Sequence, residues 1–344
     1  MNKIHIVNWL LTRRCNLHCD YCRIVKNYKT KPLLYPDMKY YIENEMSSQT
    51  IINGLEKIKN HNPNAFHIFY GGEPLLRLDL FEIINYCNKN DIHYTIISNN
   101  TERVQPLMKE LLRKVDYIEG FTASIDPIIY DKNKHMTDTF KKSLAGFKKL
   151  KEYSDIIKDV VAEITVTNDN LEYLYPLVSE LSDFGINSDI TFVDISKSKY
   201  YDFSDVEDDS ILVRKSPELK EILDKIISEK LNVHMAETLL PIIYENLPSE
   251  YDCKLENDFH NLCVDANGSI RLCLRIRGTA IPENFNLSNL FDENNNLNQY
   301  LKYSINYDKK NYCLKCNHSC YMMSELISKG EDNSNNLIHT EVRK

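Results

Sequence analysis

The sequence predicts an α/β protein, a partly closed barrel of parallel strands followed by a smaller cysteine-rich region. Six short segments rich in β-branched and aromatic residues alternate with segments of helical period. This alternation is typical of a parallel sheet with right-handed crossovers. In addition, nine of the ten cysteines fall in two groups, within residues 15–22 and 253–320. Six strand–helix units close only part of the eight-stranded barrel, so we expect a partial (β/α)6 barrel.

The elements follow in order. Strands are predicted at Ile4–Leu11, Phe66–Tyr70, His93–Ser98, Ile118–Ser124, Val160–Thr167 and Asp189–Asp194. Helices are predicted at Ser48–Lys59, Leu78–Asn88, Val104–Lys114, Thr139–Lys151 and Leu171–Phe184. Residues 1–200 then form the barrel and residues 201–248 a connector with helices at Pro217–Leu231 and Leu239–Leu247. Residues 249–344 form the cysteine-rich domain, predicted as a hairpin plus a helix.

The composition excludes several classes of protein. The 344 residues are 42% hydrophobic and 27% charged, as in an ordinary globular protein, and the formal net charge is −8. This charge argues against a broad nucleic-acid or anionic-membrane surface. No apolar run reaches the length of a membrane span, and the N-terminus lacks the apolar region of a signal peptide. We therefore expect a reducing cytoplasm, where cysteines serve as metal ligands rather than disulfides. Cys87 lies apart from the other cysteines, within a predicted helix, and we expect it to be a buried packing residue.

The first cysteine group has the spacing of an iron–sulfur loop. Cys15, Cys19 and Cys22 follow the first strand as C-x3-C-x2-C. Three thiolates can hold three irons of a [4Fe–4S] cluster and leave the fourth iron open. A structural zinc site normally requires four protein ligands, and no fourth cysteine or histidine follows at finger-like distance.

Polar and glycine-rich segments follow the other strands, at the sheet edge where α/β enzymes place their chemistry. They are Gly71-Gly72-Glu73-Pro74, Ser98-Asn99-Asn100, Ser124-Ile125-Asp126 and Thr165 to Asn170. Paired glycines allow a backbone to approach a ligand closely. Each segment can equally be read as a turn or a helix cap. Asp194, at the end of the sixth strand, is either a substrate-facing carboxylate, and hence a candidate catalytic residue, or a solvated loop residue.

The cysteine spacing, Tyr21 before the third cysteine and the order of these segments resemble the radical S-adenosylmethionine (radical SAM) superfamily. The resemblance implies a [4Fe–4S] cluster on Cys15, Cys19 and Cys22 that binds SAM through its open iron. One electron then cleaves SAM, and the 5′-deoxyadenosyl radical abstracts a hydrogen atom from the substrate. It also implies an electron donor such as flavodoxin or ferredoxin. The residues expected to contact SAM are Tyr21, Gly71, Gly72, Glu73, Pro74, Ser98, Asn99, Ser124, Asp126 and Thr165.

The second cysteine group begins near a hairpin signal at Asn267-Gly268. With Cys253, Gly268-x4-Cys273, Ser288-Asn289-Leu290 and Cys313-x2-Cys316-x3-Cys320, the order resembles the SPASM/twitch domains of radical SAM enzymes. A two-residue turn would place residue 263 opposite residue 272, with Cys263 and Cys273 on opposite faces. On that premise Cys263 packs, and does not bind metal.

Six cysteines cannot supply four ligands to each of two clusters, so the sequence favours one auxiliary [4Fe–4S] cluster. The expected ligands are Cys253, Cys273, Cys313 and Cys316, with Cys320 as the replacement for Cys316. A four-cysteine zinc site is the alternative. The cluster would either accept an electron or bind substrate.

The substrate is open at this stage. Such relatives act on peptides, protein side chains, cyclitols and nucleotides. We expect modification of a peptide or protein, ahead of dehydrogenation of a small molecule such as a sugar, cyclitol or nucleotide. Because the cysteine loop begins at residue 15, we expect no leader-peptide-binding domain before it, which weakens a self-contained peptide-modifying enzyme. A separate binding partner could compensate. A non-catalytic iron–sulfur or zinc protein is the remaining alternative.

Overall fold

One sheet of eight strands organises the residues that the computed structural model describes, which are 4–17, 45–101, 103–125, 136–193, 209–247, 261–271 and 286–291. The strand order is β6-β5-β4-β3-β2-β1-β7-β8. Strands β1 to β7 pair in parallel, and β8 is antiparallel to β7. The strands are β1 Ile6–Thr12, β2 Phe66–Gly71, β3 His93–Ser98, β4 Ile118–Ile125, β5 Ile157–Val166, β6 Asn187–Phe192, β7 Asn261–Val264 and β8 Ile270–Arg271.

The predicted helices are present with shifted ends. They are α1 Ser48–His61, α2 Leu80–Lys89, α3 Gln105–Leu112, α4 Met136–Lys151, α5 Leu174–Asp183, α6 Pro217–Ser228 and α7 Ala236–Glu245. The ends have local causes, since the Ser47 hydroxyl accepts a hydrogen bond from the Thr50 amide at the start of α1. Ser216 caps α6 in the same way, directly before Pro217. Among the described residues, no helix combines the length and apolar character needed to cross a membrane.

The helices cover one face of the sheet. Alternate strand residues such as Trp9, Phe69 and Phe121 are fully buried in one core with the apolar faces of the helices. The residues between them point to the other face, which we call the inner face. Polar and half-buried side chains are common there, and chemistry is expected on that side and at the carboxyl ends of its strands.

The outer edge of β6 is covered by a non-strand segment. The Ser188 amide donates to the Asn232 carbonyl at 2.8 Å, and the His234 amide donates to the Ser188 carbonyl at 3.0 Å. Residues after α6 thus lie along β6 as an additional edge segment, which satisfies backbone groups that an open edge would leave unpaired. This arrangement brings His234 to the end of the sheet.

The hairpin corrects two details of the sequence-based prediction. Its first strand, β7, joins the barrel sheet through parallel pairing with β1, so the sheet has seven parallel strands rather than six. Val264 faces Ile270, and the Asp265 amide donates to the Ser269 carbonyl, so the turn between Asp265 and Ser269 has three residues, 266–268. Gly268 takes a φ of +85°, the left-handed conformation that closes a three-residue loop. The premise that placed Cys263 and Cys273 on opposite faces is therefore wrong.

Candidate active site

The start of the cysteine loop lies between the loops that follow β2 and β3. The structure describes this loop as far as residue 17, which includes Cys15; Cys19, Tyr21 and Cys22 lie outside the described residues. The Gly72 amide donates to the Thr12 carbonyl at 2.8 Å, and the Glu73 amide donates to the Arg14 carbonyl at 2.7 Å. The chain entering the cysteine loop is thus hydrogen-bonded to the Gly-Gly-Glu segment.

The two glycines are required by this close approach. A Cβ on Gly72 would lie 2.1 Å from the Arg14 carbonyl oxygen, and one on Gly71 would lie 2.4 Å from the Thr12 carbonyl oxygen. Both neighbours are backbone atoms that cannot rotate away. The absence of side chains at residues 71 and 72 therefore makes room for residues 12–14 of the same chain. Contact of these glycines with SAM stays a prediction.

Glu73 joins the loops after β2 and β3. Its carboxylate is fully buried and accepts hydrogen bonds from the Leu75 amide (3.0 Å), the Asn99 amide (2.8 Å) and the Ser98 hydroxyl (2.9 and 3.1 Å). Burial raises the pKa of Glu73 to about 7, while the hydrogen bonds from Asn99, Leu75 and Ser98 act in the opposite direction. The Glu73 carboxylate therefore links the loop after β2 to the loop after β3.

Cys15 receives two N–H groups. The Leu17 amide lies 3.4 Å and the Asn99 side-chain nitrogen 3.9 Å from the Cys15 sulfur. Asn99 also donates to the Asn16 side-chain oxygen at 2.8 Å, and the Asn16 amide group donates to the Thr101 hydroxyl at 2.9 Å. N–H groups directed at a sulfur favour its thiolate form and tune iron–sulfur clusters. Asn99 therefore supports the cysteine loop.

A buried ion pair fixes the chain one residue before Cys15. The Arg14 guanidinium lies 2.9 Å from the Glu45 carboxylate, and both side chains are almost fully buried. Arg14 also donates to the Leu76 carbonyl at 3.2 Å, and the Thr12 hydroxyl donates to Glu45. No local spacing relates Arg14 to Glu45, which are 31 positions apart, so their pairing could not be predicted from the sequence.

Asn100 follows β3 in a backbone conformation that glycine would also adopt. Its φ is +46°, in the left-handed region that glycine and asparagine tolerate best. Asparagine here preserves a turn that glycine would also allow.

A second group of polar side chains crosses the inner face of β4, β5 and β6. Ser124, Glu163 and Asp189 are paired in register on adjacent strands and are half-buried. His234 extends the row, with Nδ1 2.7 Å from the Asp189 carboxylate. Thr165 lies two residues nearer the carboxyl end of β5, paired with Thr191. The row places Ser124 and Thr165, two residues predicted to contact SAM, on one face.

The charges in this row are unequally compensated. Burial and, to a smaller degree, repulsion from Asp189 raise the pKa of Glu163 to about 7. Burial acts to lower the pKa of His234, but the hydrogen bond and charge of Asp189 outweigh it and raise that pKa. Asp189 thus has a histidine as its hydrogen-bond partner, whereas Glu163 accepts no hydrogen bond from the part of the chain that the structure describes.

Several predicted site residues lie outside the described residues. Asp126 and Asp194 are among them, as are the expected auxiliary ligands Cys253, Cys273, Cys313, Cys316 and Cys320. Pro74 is buried and begins the short 3-10 helix Pro74–Leu76. Cys87 is fully buried in α2, where burial raises its thiol pKa, as expected of a packing residue.

Comparison with known proteins identifies the family. The model of the Radical SAM superfamily matches residues 9–180, half of the chain. An uncharacterized protein of Methanocaldococcus jannaschii is 32% identical over 294 residues, which is 81% of this chain and 88% of that protein. The chain belongs to the radical SAM superfamily. It is a radical SAM enzyme, and the superfamily implies a [4Fe–4S] cluster and SAM.

Relatives with assigned activities match only in part. The AdoMet-dependent heme synthase of Oleidesulfovibrio alaskensis is 27% identical over 188 residues, 52% of this chain and 43% of that protein. This radical SAM chain therefore spans less than half the length of the heme synthase.

Two solved structures share the fold. Streptococcus suis SuiB bound to precursor peptide SuiA has a TM-score of 0.58 at 14% identity, covering 99% of this chain and 76% of SuiB. Native anSMEcpe with bound AdoMet and Cp18Cys peptide has a TM-score of 0.55 at 15% identity, covering 95% and 98%.

The described part of the site fits an iron–sulfur ligand. The Cys15 sulfur faces two N–H donors, and the loop around it is held by Gly72, Glu73 and Asn99. No group of three or more metal-ligating side chains occurs within the described ranges, since these include only one cysteine of the C-x3-C-x2-C loop. N–H groups directed at a sulfur are a contact that suits an iron–sulfur cluster ligand.

Proposed function

We propose that this radical SAM enzyme modifies a peptide or protein substrate. The Cys15 loop, held between the loops after β2 and β3 with N–H groups directed at the sulfur, supports the radical SAM chemistry. The observation that carries a peptide substrate is the fold shared with two peptide-bound proteins. Two proteins with the same fold are described as bound to peptides, namely SuiB and anSMEcpe. When bound, the cluster and SAM supply the radical that abstracts a hydrogen atom from the substrate.

The chain's own residues bind and orient these groups. Cys15, with Cys19 and Cys22, would hold the cluster. Glu73 fixes the loops around Asn99 and Gly72 through its buried hydrogen bonds, so that the SAM-facing rim is organised before the ligand arrives. The inner-face row of Ser124, Glu163 and Asp189 offers polar contacts beside that rim.

We further propose that the C-terminal cysteines hold an auxiliary [4Fe–4S] cluster. The support from described residues is that two segments of the twitch-like pattern, the hairpin around Gly268 and Ser288-Asn289-Leu290, pack together. The Leu287 amide donates to the Gly268 carbonyl at 2.9 Å, and Lys57 on α1 donates to the Ser288 carbonyl at 2.9 Å. The hairpin and the Ser288-Asn289-Leu290 segment thus lie together at the end of the sheet that β7 and β8 form.

The ligands remain Cys253, Cys273, Cys313 and either Cys316 or Cys320, with sulfur–metal distances of about 2.3 Å expected for iron or zinc. Cys263 returns as a further candidate, because the three-residue turn removes the reason for excluding it. It is buried on β7, in register with Asn8 of β1.

Metal analysis separates the auxiliary cluster from a structural zinc. The variant in which Cys15, Cys19 and Cys22 are all changed to Ala is purified anaerobically and assayed for iron and zinc. About four irons per chain are expected if one auxiliary [4Fe–4S] cluster remains. One zinc and no iron would contradict the auxiliary cluster and leave that region a structural role.

The second candidate function is modification of a small molecule, favoured by the similarity to the heme synthase over 188 residues. The two candidate functions are distinguished by which substrate supplies the abstracted hydrogen atom. The enzyme is incubated with SAM and either deuterated peptides or a set of deuterated tetrapyrroles, nucleotides and sugars. Deuterium in 5′-deoxyadenosine from peptides alone supports the proposal, and deuterium from small molecules alone overturns it. A neighbouring reading frame for a short cysteine-rich precursor would guide the choice of peptide.

A further inference from the structure

The hairpin at the start of the cysteine-rich region contacts the beginning of the cysteine loop. The Arg13 guanidinium lies 2.5 Å from the Asp265 carboxylate, although the two residues are 252 positions apart. The Asp265 side chain is 2% exposed and the Arg13 side chain 29% exposed. Arg13 is two residues before Cys15, so the contact lies at the entrance to the loop.

Asp265 is held rigidly in the hairpin turn. Its side chain accepts a hydrogen bond from the Ala266 amide at 2.7 Å, its own amide donates to the Ser269 carbonyl at 2.9 Å, and its carbonyl accepts from the Gly268 amide at 2.8 Å. Aspartate is favoured at the first position of such a turn and glycine at the fourth. The turn therefore fixes the carboxylate before it meets Arg13.

The pairing of β7 with β1 fixes the position of Asp265 relative to the cysteine loop. Trp9 of β1 is in register with Val264, the residue before Asp265. On the opposite side, the Arg14 carbonyl accepts the Glu73 amide. The residues before Cys15 are thus held between the hairpin and the Gly-Gly-Glu segment. A buried carboxylate deprived of its partner is strongly unfavourable, so the pair resists separation.

We propose that Asp265 is a positioning residue for the SAM-binding cluster, acting through Arg13 on the loop that carries Cys15. This inference rests on the proposed cluster at Cys15, Cys19 and Cys22. The orientation of the loop sets the approach of the Leu17 and Asn99 N–H groups to the Cys15 sulfur. Hydrogen bonds to the sulfurs are one determinant of the potential of an iron–sulfur cluster. The cysteine-rich region therefore influences the first cluster through its hairpin.

The test uses the full chain, reconstituted anaerobically, as wild type, Asp265→Asn, Arg13→Met and the double variant. The readouts are iron content, the electron paramagnetic resonance spectrum of the reduced protein with and without SAM, and SAM affinity. Subtracting the spectrum of the triple cysteine variant isolates the first cluster. Asn267→Ala is the matched control, because Asn267 is exposed in the same turn and its side chain contacts Ser269 rather than Arg13.

Each single variant is expected to change the spectrum of the first cluster and to weaken SAM binding about 10-fold, as for other residues that support metal ligands. The double variant should be no worse than the more affected single variant, because both remove one contact. If Asp265→Asn does not fold, Asp265→Glu and Arg13→Lys, which retain the charges, should give smaller changes of the same kind.

Three results would overturn the inference. They are unchanged spectra and SAM affinity in both single variants, additive effects in the double variant, or an equal effect of Asn267→Ala. In each case a wild-type protein that still shows a SAM-responsive cluster leaves the proposed function intact. A reconstituted wild-type protein without any such cluster would overturn both.

Discussion

At the scale of single residues, the glycines after β2 serve the chain itself. Relatives of this enzyme are expected to bind SAM with this segment, yet Gly71 and Gly72 face the backbone of residues 12–14 at distances that exclude a Cβ. The loop proposed to bind the cluster and the loop expected to bind SAM consequently pack against each other. A substitution in either loop should therefore affect both cluster content and SAM binding.

Gly72→Ala should therefore disturb the cluster as well as SAM binding. The added methyl group would meet the Arg14 carbonyl, which must move together with the start of the cysteine loop. We expect a loss of about 1–3 kcal/mol in the free energy of unfolding, and lower iron content after reconstitution. Denaturant unfolding and iron analysis measure both. Full iron content with weaker SAM binding alone would show that the glycine serves only the ligand.

Glu73→Gln tests the cross-link between the loops. A glutamine has one oxygen, whereas the Leu75 and Asn99 amides each donate to a different oxygen of Glu73. One buried N–H would be left facing an NH2 group, at a cost of about 1–3 kcal/mol. We expect a lower free energy of unfolding and reduced SAM affinity, measured by denaturant unfolding and calorimetry. Glu110→Gln, at an exposed i,i+4 ion pair on α3, is the control and should have little effect.

At the scale of elements, strand positions were predictable and the hairpin register was not. The strand His93–Ser98 was predicted with the bounds that the structure shows, because β-branched and aromatic residues end at a polar segment. The register of the hairpin changes when its turn is one residue longer or shorter. Asn267-Gly268 is compatible with both two- and three-residue turns, so the sequence does not decide the register. The contacts of Asp265 and Glu45 with the cysteine loop depend on tertiary packing, which no local pattern reveals.

Strand β5 carries a pH-dependent contribution to stability. Burial raises the pKa of Glu163 to about 7, above its ordinary value of 4.5. The folded protein therefore keeps a proton that the unfolded chain releases between these values. The contribution is fully present below about pH 4.5 and is lost as the pH rises through about 7.

Glu163→Gln should remove this dependence. Relative to wild type, the variant is expected to gain free energy of unfolding as the pH is raised from 5 to 8. Denaturant unfolding at both pH values measures the difference. Equal pH dependence in the two proteins would mean that Glu163 is ionised throughout, and that the inner-face row is better solvated than its burial indicates.

At the scale of the whole molecule, the family was recognisable because its signature is local in sequence. The C-x3-C-x2-C loop and the Gly-Gly-Glu segment each occupy a few consecutive residues, and each strand and helix of the barrel has its own local pattern. The structure adds that β7, from beyond the connector, joins the sheet beside β1. The cysteine-rich region is thereby anchored to the strand that leads into the first cysteine loop.

Reductive cleavage of SAM tests the central claim most directly. Wild type and the variant with Cys15, Cys19 and Cys22 changed to Ala are reconstituted anaerobically, reduced and assayed for 5′-deoxyadenosine. Cys87→Ala is the control, since Cys87 is buried in α2. We expect product from wild type and Cys87→Ala and none from the triple variant. Undiminished product in the triple variant, or no product from wild type with full iron content, would contradict the account.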